Sequence, residues 1–182
     1  MNHKPLVGIV MGSDSDLEAM KKCAEQLGAF GIAHEMRILS AHRTPAEAHE
    51  YAASAAGRGL KVIVAAAGMS AALSGVLASV TTLPVIGVPM ASGPLAGVDA
   101  FLSTLQMPPG VPVACMAVNG ALNAAIFAAQ PPATSMPARI AIRRFVIGSR
   151  FPFARATRRY TGTGRAGSCD IEWIGSPVRT PH

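Results

Sequence analysis

Two short stretches carry the side chains best suited to chemistry. Ser40-Ala41-His42-Arg43-Thr44-Pro45 sets an imidazole beside a guanidinium. Histidine ionises near neutrality, which suits proton transfer. Arginine is a fixed cation whose planar fork of donors fits carboxylate or phosphate. The second stretch, Met11-Gly12-Ser13-Asp14-Ser15-Asp16, is complementary to the first. Gly12 lets a ligand approach the backbone, Ser13 and Ser15 can donate to phosphate oxygens, and Asp16 can accept from ribose hydroxyls. Ser and Asp are also ordinary helix caps, so this stretch alone does not separate binding from capping. It is not GxGxxG and lacks the lysine of a P-loop, so it gives little support to dinucleotide or nucleoside triphosphate binding. The remaining histidines, His3, His34, His49 and His182, have no comparable setting and read as surface residues.

Two further stretches are less pointed. The small residues of Ala65–Gly75 could line a pocket with backbone or simply let a helix pack closely on a strand. The run Met90–Asp99, followed by Gln106–Pro112, has its turns fixed by Pro and Gly and reads by itself as a connection.

These stretches must be positioned by regular elements. The runs Leu6–Met11, Glu35–Leu39, Val62–Ala66, Pro84–Val88 and Val111–Val118 read as strands. Runs that are apolar throughout suit a parallel sheet covered on both faces. Leu17, Met20, Ala24 and Leu27 recur at helical spacing, with Gly28 where a helix would end. Thr44-Pro45-Ala46-Glu47 reads as a capping box with Pro at the first helical position, ahead of Ala48, Ala52 and Ala55. An Ala-rich helix is expected at Asn123–Gln130. The fold class is a three-layer α/β/α, flavodoxin-like domain with a parallel sheet, in which ligands sit at the carboxyl ends of the strands.

Composition sets the outer bounds. The 182 residues are half apolar and carry a net charge of +6. The basicity is confined to one end: residues 1–130 hold seven basic and eight acidic side chains, whereas 131–182 hold nine Arg, no Lys and two acids. The expected organisation is a catalytic α/β domain over 1–130 and an atypical, poorly ordered Arg-rich tail over 131–182 that begins at Pro131-Pro132. Cys23, Cys115 and Cys169 are odd in number and lack CxxC spacing, which argues against a disulfide framework or a thiolate zinc site. No apolar run is long enough to span a membrane, and the start lacks the apolar core of a signal peptide, so a cytoplasmic protein without a membrane partner is expected.

GSDSD, SAHRTP, AAGMSAALSG, PVIGVP, the SGPLAGVDAFLSTLQMPPGVPVA stretch and NAAIFAAQ occur in this order over residues 5–130. Together they resemble the family of N5-carboxyaminoimidazole ribonucleotide mutases and aminoimidazole ribonucleotide carboxylases of purine biosynthesis. The resemblance implies His42 as general acid/base and a ribonucleotide site made by Gly12, Ser13, Ser15, Asp16, Ser40, Arg43, Gly68, Ser70, Ala71 and Leu73. It also implies a homo-octamer and a reaction that needs neither metal nor organic cofactor. Arg43 after the histidine is like the mutase branch, whereas the third-loop run Ala72-Leu73-Ser74-Gly75 is closer to the branch that carboxylates directly with CO2. The His-Arg pair, which would contact substrate, favours the mutase. In the family a mixed-charge helix continues past the AAQ position; Pro131-Pro132 and an Arg-only segment stand here instead, a composition that an altered reading frame in a GC-rich gene could give. The rival readings are a nucleic-acid-binding module, suggested by the arginines and aromatics of the tail, and a nucleotide or flavin binder without catalysis.

Overall fold

The computed structural model describes residues 4–130. The expectations for 131–182 lie outside these residues. Five strands, β1 (Val7–Met11), β2 (His34–Ile38), β3 (Val62–Gly68), β4 (Val85–Met90) and β5 (Ala114–Cys115), form one sheet in the order β2-β1-β3-β4-β5. Every neighbouring pair is parallel. The helices are α1 (Leu17–Ala29), α2 (Pro45–Arg58), α3 (Leu73–Ala78), α4 (Val98–Leu105) and α5 (Ala121–Ala128). This is the flavodoxin-like order expected from the alternating pattern, with the strand order reversing between β1 and β3.

Two apolar layers flank the sheet. On one face Ile9, Val64 and Ile86 pack with Met20, Cys23 and Leu27 of α1 and Ala121, Ala124 and Ala125 of α5. On the other, Val10, Ile63 and Ala65 pack with Ala48, Ala52 and Ala55 of α2 and Leu73 and Leu77 of α3. The alternation of neighbouring strand residues between these faces is the period-two geometry of a strand covered on both sides. Burial of Cys23 pushes its thiol up to about 12, so it is an inert part of the core.

Several local expectations are corrected. α1 does not end at Gly28 but runs to Ala29; the left-handed residue that terminates it is Gly31, at φ +69°. Of Val111–Val118 only Ala114–Cys115 pair with β4, and the Met116 N–H adds one bond to the Gly87 carbonyl. Pro112 has no N–H to donate, and an edge strand has a ladder on one side only. α4 begins at the end of the Met90–Asp99 run and fills the gap before Gln106, and the C-terminal helix spans Ala121–Ala128 rather than Asn123–Gln130.

At the opposite edge, β2 is tied to α2 by a cluster that periodicity does not show. Arg58 donates to Glu35 Oε1 at 2.5 Å, the Tyr51 hydroxyl donates to the same oxygen at 2.9 Å, and the Arg58 guanidinium lies 4.5 Å over the Tyr51 ring. Burial would raise the Glu35 carboxyl, but the bonds from Arg58 and Tyr51 outweigh it and hold the group below its ordinary range. A depressed carboxyl adds stability above its unfolded range and loses that stability as pH falls through the folded value. Glu35→Ala is expected to destabilise the protein by about 1–2 kcal/mol at pH 7, because it leaves the buried Tyr51 hydroxyl and the half-buried Arg58 without their acceptor. Thermal unfolding at pH 7 and at acid pH checks this, the gap between variant and wild type closing as the wild-type carboxyl is protonated.

Candidate active site

The ladder brings the chemical stretches together. Met11 stands opposite Ile38 on one side and Ala66 on the other. Beyond those residues the Leu39 N–H bonds to the Met11 carbonyl at 2.8 Å and the Gly12 N–H to the Ala66 carbonyl at 2.9 Å. The first two loops therefore leave the sheet at one level and the third two residues beyond it, after Gly68, beside the switch point where ligands of this architecture bind.

The first loop makes a 3-10 turn at Asp14–Asp16. The Ser13 hydroxyl caps it, accepting from the Ser15 N–H at 3.3 Å and donating to Asp14 Oδ1 at 3.0 Å. The capping reading is therefore correct for Ser13. Ser15 is exposed, whereas Asp16 is only 5% exposed. Burial pushes the Asp16 carboxyl above its ordinary value, against bonds from the Ser13 N–H and the Ser15 side chain and the attraction of Arg43. A buried acceptor at a loop edge is suited to hydroxyls that replace the water it has lost.

The second loop is held by its own hydroxyls. The Ser40 Oγ accepts from the backbone N–H of His42 at 3.3 Å and of Arg43 at 3.2 Å. Arg43 reaches across to the first loop, its Nη2 donating to the Gly12 carbonyl at 2.7 Å. His42 and Arg43 are both exposed, and the imidazole makes no hydrogen bond within the described residues. The expected capping box is absent. Thr44 turns its hydroxyl back to Ser40 and makes no side-chain bond to the helix start, although Pro45 does open α2. The residue before a proline is pushed out of the helical region, and Thr44 sits at φ −133°, ψ 56°.

The third loop is split in character. Met69 and Ser70 are exposed, and Met69 takes a left-handed backbone at φ +55°. Ala71 and Leu73 are 1% exposed, with Leu73 in the core layer as the first residue of α3. Only backbone could face a ligand there. A side chain on Gly68 would collide with the Ser92 hydroxyl, so this glycine allows the third loop to meet the fourth. Ser74 points inward: its hydroxyl is buried and has no hydrogen-bond partner among the described residues. Sequence reasoning missed Asn119, whose Oδ1 accepts from the Ala91 N–H at 2.9 Å and whose N–H bonds to the Pro89 carbonyl at 2.8 Å. It pins the fourth loop from the end of β5, and the Asn119-Gly120 dipeptide was the turn signal for it.

A separate groove of about 620 Å³ lies along α2 and β2, lined by residues that include Arg37, Glu47, Tyr51 and Arg58. It meets the second loop at Leu39 and includes none of the residues assigned to the site. No cluster of metal-ligating side chains occurs among the described residues, and no described helix is long and apolar enough to cross a membrane.

Residues 6–143 match the model of a family described as AIR carboxylase. The chain is 56% identical over 127 residues to a Pyrococcus horikoshii protein named N5-carboxyaminoimidazole ribonucleotide mutase, covering 70% of this chain and 72% of that one. A Thermotoga maritima protein of the same name is 57% identical over 125 residues, covering 69% of this chain and 73% of the other. A crystal structure of Treponema denticola PurE superposes with a TM-score of 0.70 at 32% identity, covering 79% of this chain and 90% of that one.

Because burial raises the Asp16 carboxyl, ionised Asp16 costs stability at neutral pH, a cost that shrinks as pH falls through the folded value and is gone below the unfolded one. Asp16→Asn is expected to raise the melting temperature at pH 7, with the gain shrinking toward acid pH, and to weaken binding of a ribose-bearing ligand about tenfold or more. Melting curves across pH and ligand titration check the two halves independently.

Proposed function

The chain belongs to the AIR carboxylase family, and we propose that it works as an N5-carboxyaminoimidazole ribonucleotide mutase of purine biosynthesis, an isomerase. The observation that carries the reading is the Arg43 bond to the Gly12 carbonyl, which holds the His-Arg pair against the loop that carries Ser13 and Asp16. The mutase names of relatives at 56% and 57% identity support it.

Each residue then has a physical task. Arg43, Ser13, Ser15 and Ser40 receive the substrate phosphate. The Ser40 hydroxyl suits this, because it already accepts two backbone N–H groups and its proton has no acceptor among the described residues. Asp16 accepts from the ribose hydroxyls. The backbone around Gly12 allows close approach, and Gly68, Ser70 and the main chain at Ala71 and Leu73 wall the reacting carbon.

The reaction begins with cleavage of the carbamate N–C bond, whose electron pair returns to the exocyclic nitrogen. Protonated His42 supplies the proton that nitrogen takes. The released CO2 stays beside the aminoimidazole, C4 attacks it, and the new C–C bond leaves an extra proton on C4. Neutral His42 removes that proton and is restored. Holding CO2 against C4 replaces a bimolecular capture by a local one, which is worth several kcal/mol of the barrier.

The same reading places the enzyme in the cytoplasm, where its phosphorylated, membrane-impermeant substrate is, and makes it a homo-octamer. Val98, Leu102 and Leu105 of α4 support assembly. They are 59%, 50% and 47% exposed and follow one helical stripe, an apolar face that a second copy would cover. The openness of His42 and Arg43 in a single chain fits a site completed by neighbours.

A second reading, direct carboxylation of aminoimidazole ribonucleotide, is favoured by the Ala72-Leu73-Ser74-Gly75 run alone. Two ultraviolet assays separate them, one with N5-carboxyaminoimidazole ribonucleotide and one with aminoimidazole ribonucleotide and modest bicarbonate. Efficient C4-carboxylated product is expected only from the first; efficient product only from the second makes the protein a carboxylase. His42→Asn is expected to lower kcat by on the order of 10²-fold or more while substrate binding persists, and a near-normal rate would remove His42 from its role.

A further inference from the structure

We propose that Thr44 is a positioning residue, whose hydroxyl closes the Ser40–Thr44 loop into a ring and so fixes His42 over the reacting carbon. The activity half of this inference rests on the mutase reading; the structural half does not. Three bonds join the two ends of the loop. The Thr44 Oγ1 accepts from the Ser40 N–H at 2.8 Å and donates to the Ser40 carbonyl at 3.2 Å, and the Thr44 N–H bonds to the same carbonyl at 2.9 Å. Inside the ring, Ser40 Oγ takes the N–H groups of His42 and Arg43.

The chain therefore has two hydroxyls locking one short loop from opposite sides. Thr44 sets where Ser40 is, and Ser40 sets where the backbone of His42 and Arg43 is. His42 needs such help because its imidazole is exposed and takes no hydrogen bond within the described residues, so its backbone carries the positioning there. Thr44 is also the residue that a capping box would have used at the start of α2. Its hydroxyl instead serves the loop, and the helix start is left with Pro45, which has no N–H to satisfy.

Thr44→Val keeps the shape and the β-branched backbone preference while removing both hydroxyl bonds. Thr44→Ser keeps the hydroxyl. Full-length protein is compared for three readouts: steady-state kinetics on N5-carboxyaminoimidazole ribonucleotide, melting temperature, and amide hydrogen exchange of the peptide spanning residues 39–46. T44V is expected to lose on the order of 10² in kcat/KM. The loss falls in kcat and in KM, because the ring places His42 together with Ser40 and Arg43, which receive the phosphate. The variant is expected to melt close to wild type and to exchange faster across 39–46. T44S is expected to recover most of the rate and the protection. Wild-type kcat in T44V, or a loss that Ser does not rescue and that follows a fall in melting temperature, overturns the proposal. Unchanged exchange in T44V overturns the ring itself. If wild type turns over neither ribonucleotide, the functional reading fails, while the exchange comparison still decides whether Thr44 holds the loop.

Discussion

Ile38, Met11 and Ala66 stand level across β2, β1 and β3, so the first two chains leave the sheet side by side, β3 follows two residues further on, and the loops open onto the same end of the sheet. The register follows from burial. β1 and β3 are apolar along almost their whole length and covered on both faces, and a slip of one residue would turn their side chains into the wrong layers. Arg43 then converts proximity into a fixed relation by spanning 31 residues of sequence to the Gly12 carbonyl. The sheet brings His42, Arg43, Ser13 and Asp16 to the same end of the fold.

The edge of the sheet where these loops lie is also where the fold holds its less favourable local states. Met69, Ala96 and Asn119 are the non-glycine residues with positive φ among those described, and each lies beyond the carboxyl end of a strand. Positions of this kind cost on the order of 1 kcal/mol or more and persist where surrounding structure over-determines them. Buried Asp16 belongs to the same set, being held against its desolvation beside an arginine. Stability lost at this edge is offset below it, where the two apolar layers hold residues such as Ile9, Met20, Ile63 and Leu77 without solvent contact. The opposition of a settled core and a tense loop edge is what a binding site on a rigid scaffold requires.

The sequence was most legible where one physical signal dominated. Continuous apolar runs located β1, β3 and β4 within two residues of their ends, and Pro45 marked the start of α2. The His-Arg pair and the GSDSD loop were visible by residue type, and the ladder then placed them together. Signals that compete were read less well. Thr44 has two uses for its hydroxyl, capping or closing the loop, and only the backbone ahead of Pro45 decides between them. Gly28 and Gly31 both suit a helix end, and the first lies within the helix. Ala71 and Leu73 were legible as part of the third loop but not as core residues, because apolar small-residue runs serve loops and packing alike. The Glu35–Tyr51–Arg58 cluster joins residues far apart in sequence, and no local period encodes it.

The central claim is that the first three strand-end loops form one ribonucleotide site. A crystal structure of the full chain with 4-carboxy-5-aminoimidazole ribonucleotide tests it most directly. The account predicts phosphate oxygens within hydrogen-bond distance of Ser13, Ser40 and Arg43, a ribose hydroxyl on Asp16, and the imidazole of His42 beside the C4 substituent. Nucleotide bound instead in the groove along α2 and β2, with the three loops empty, would contradict it.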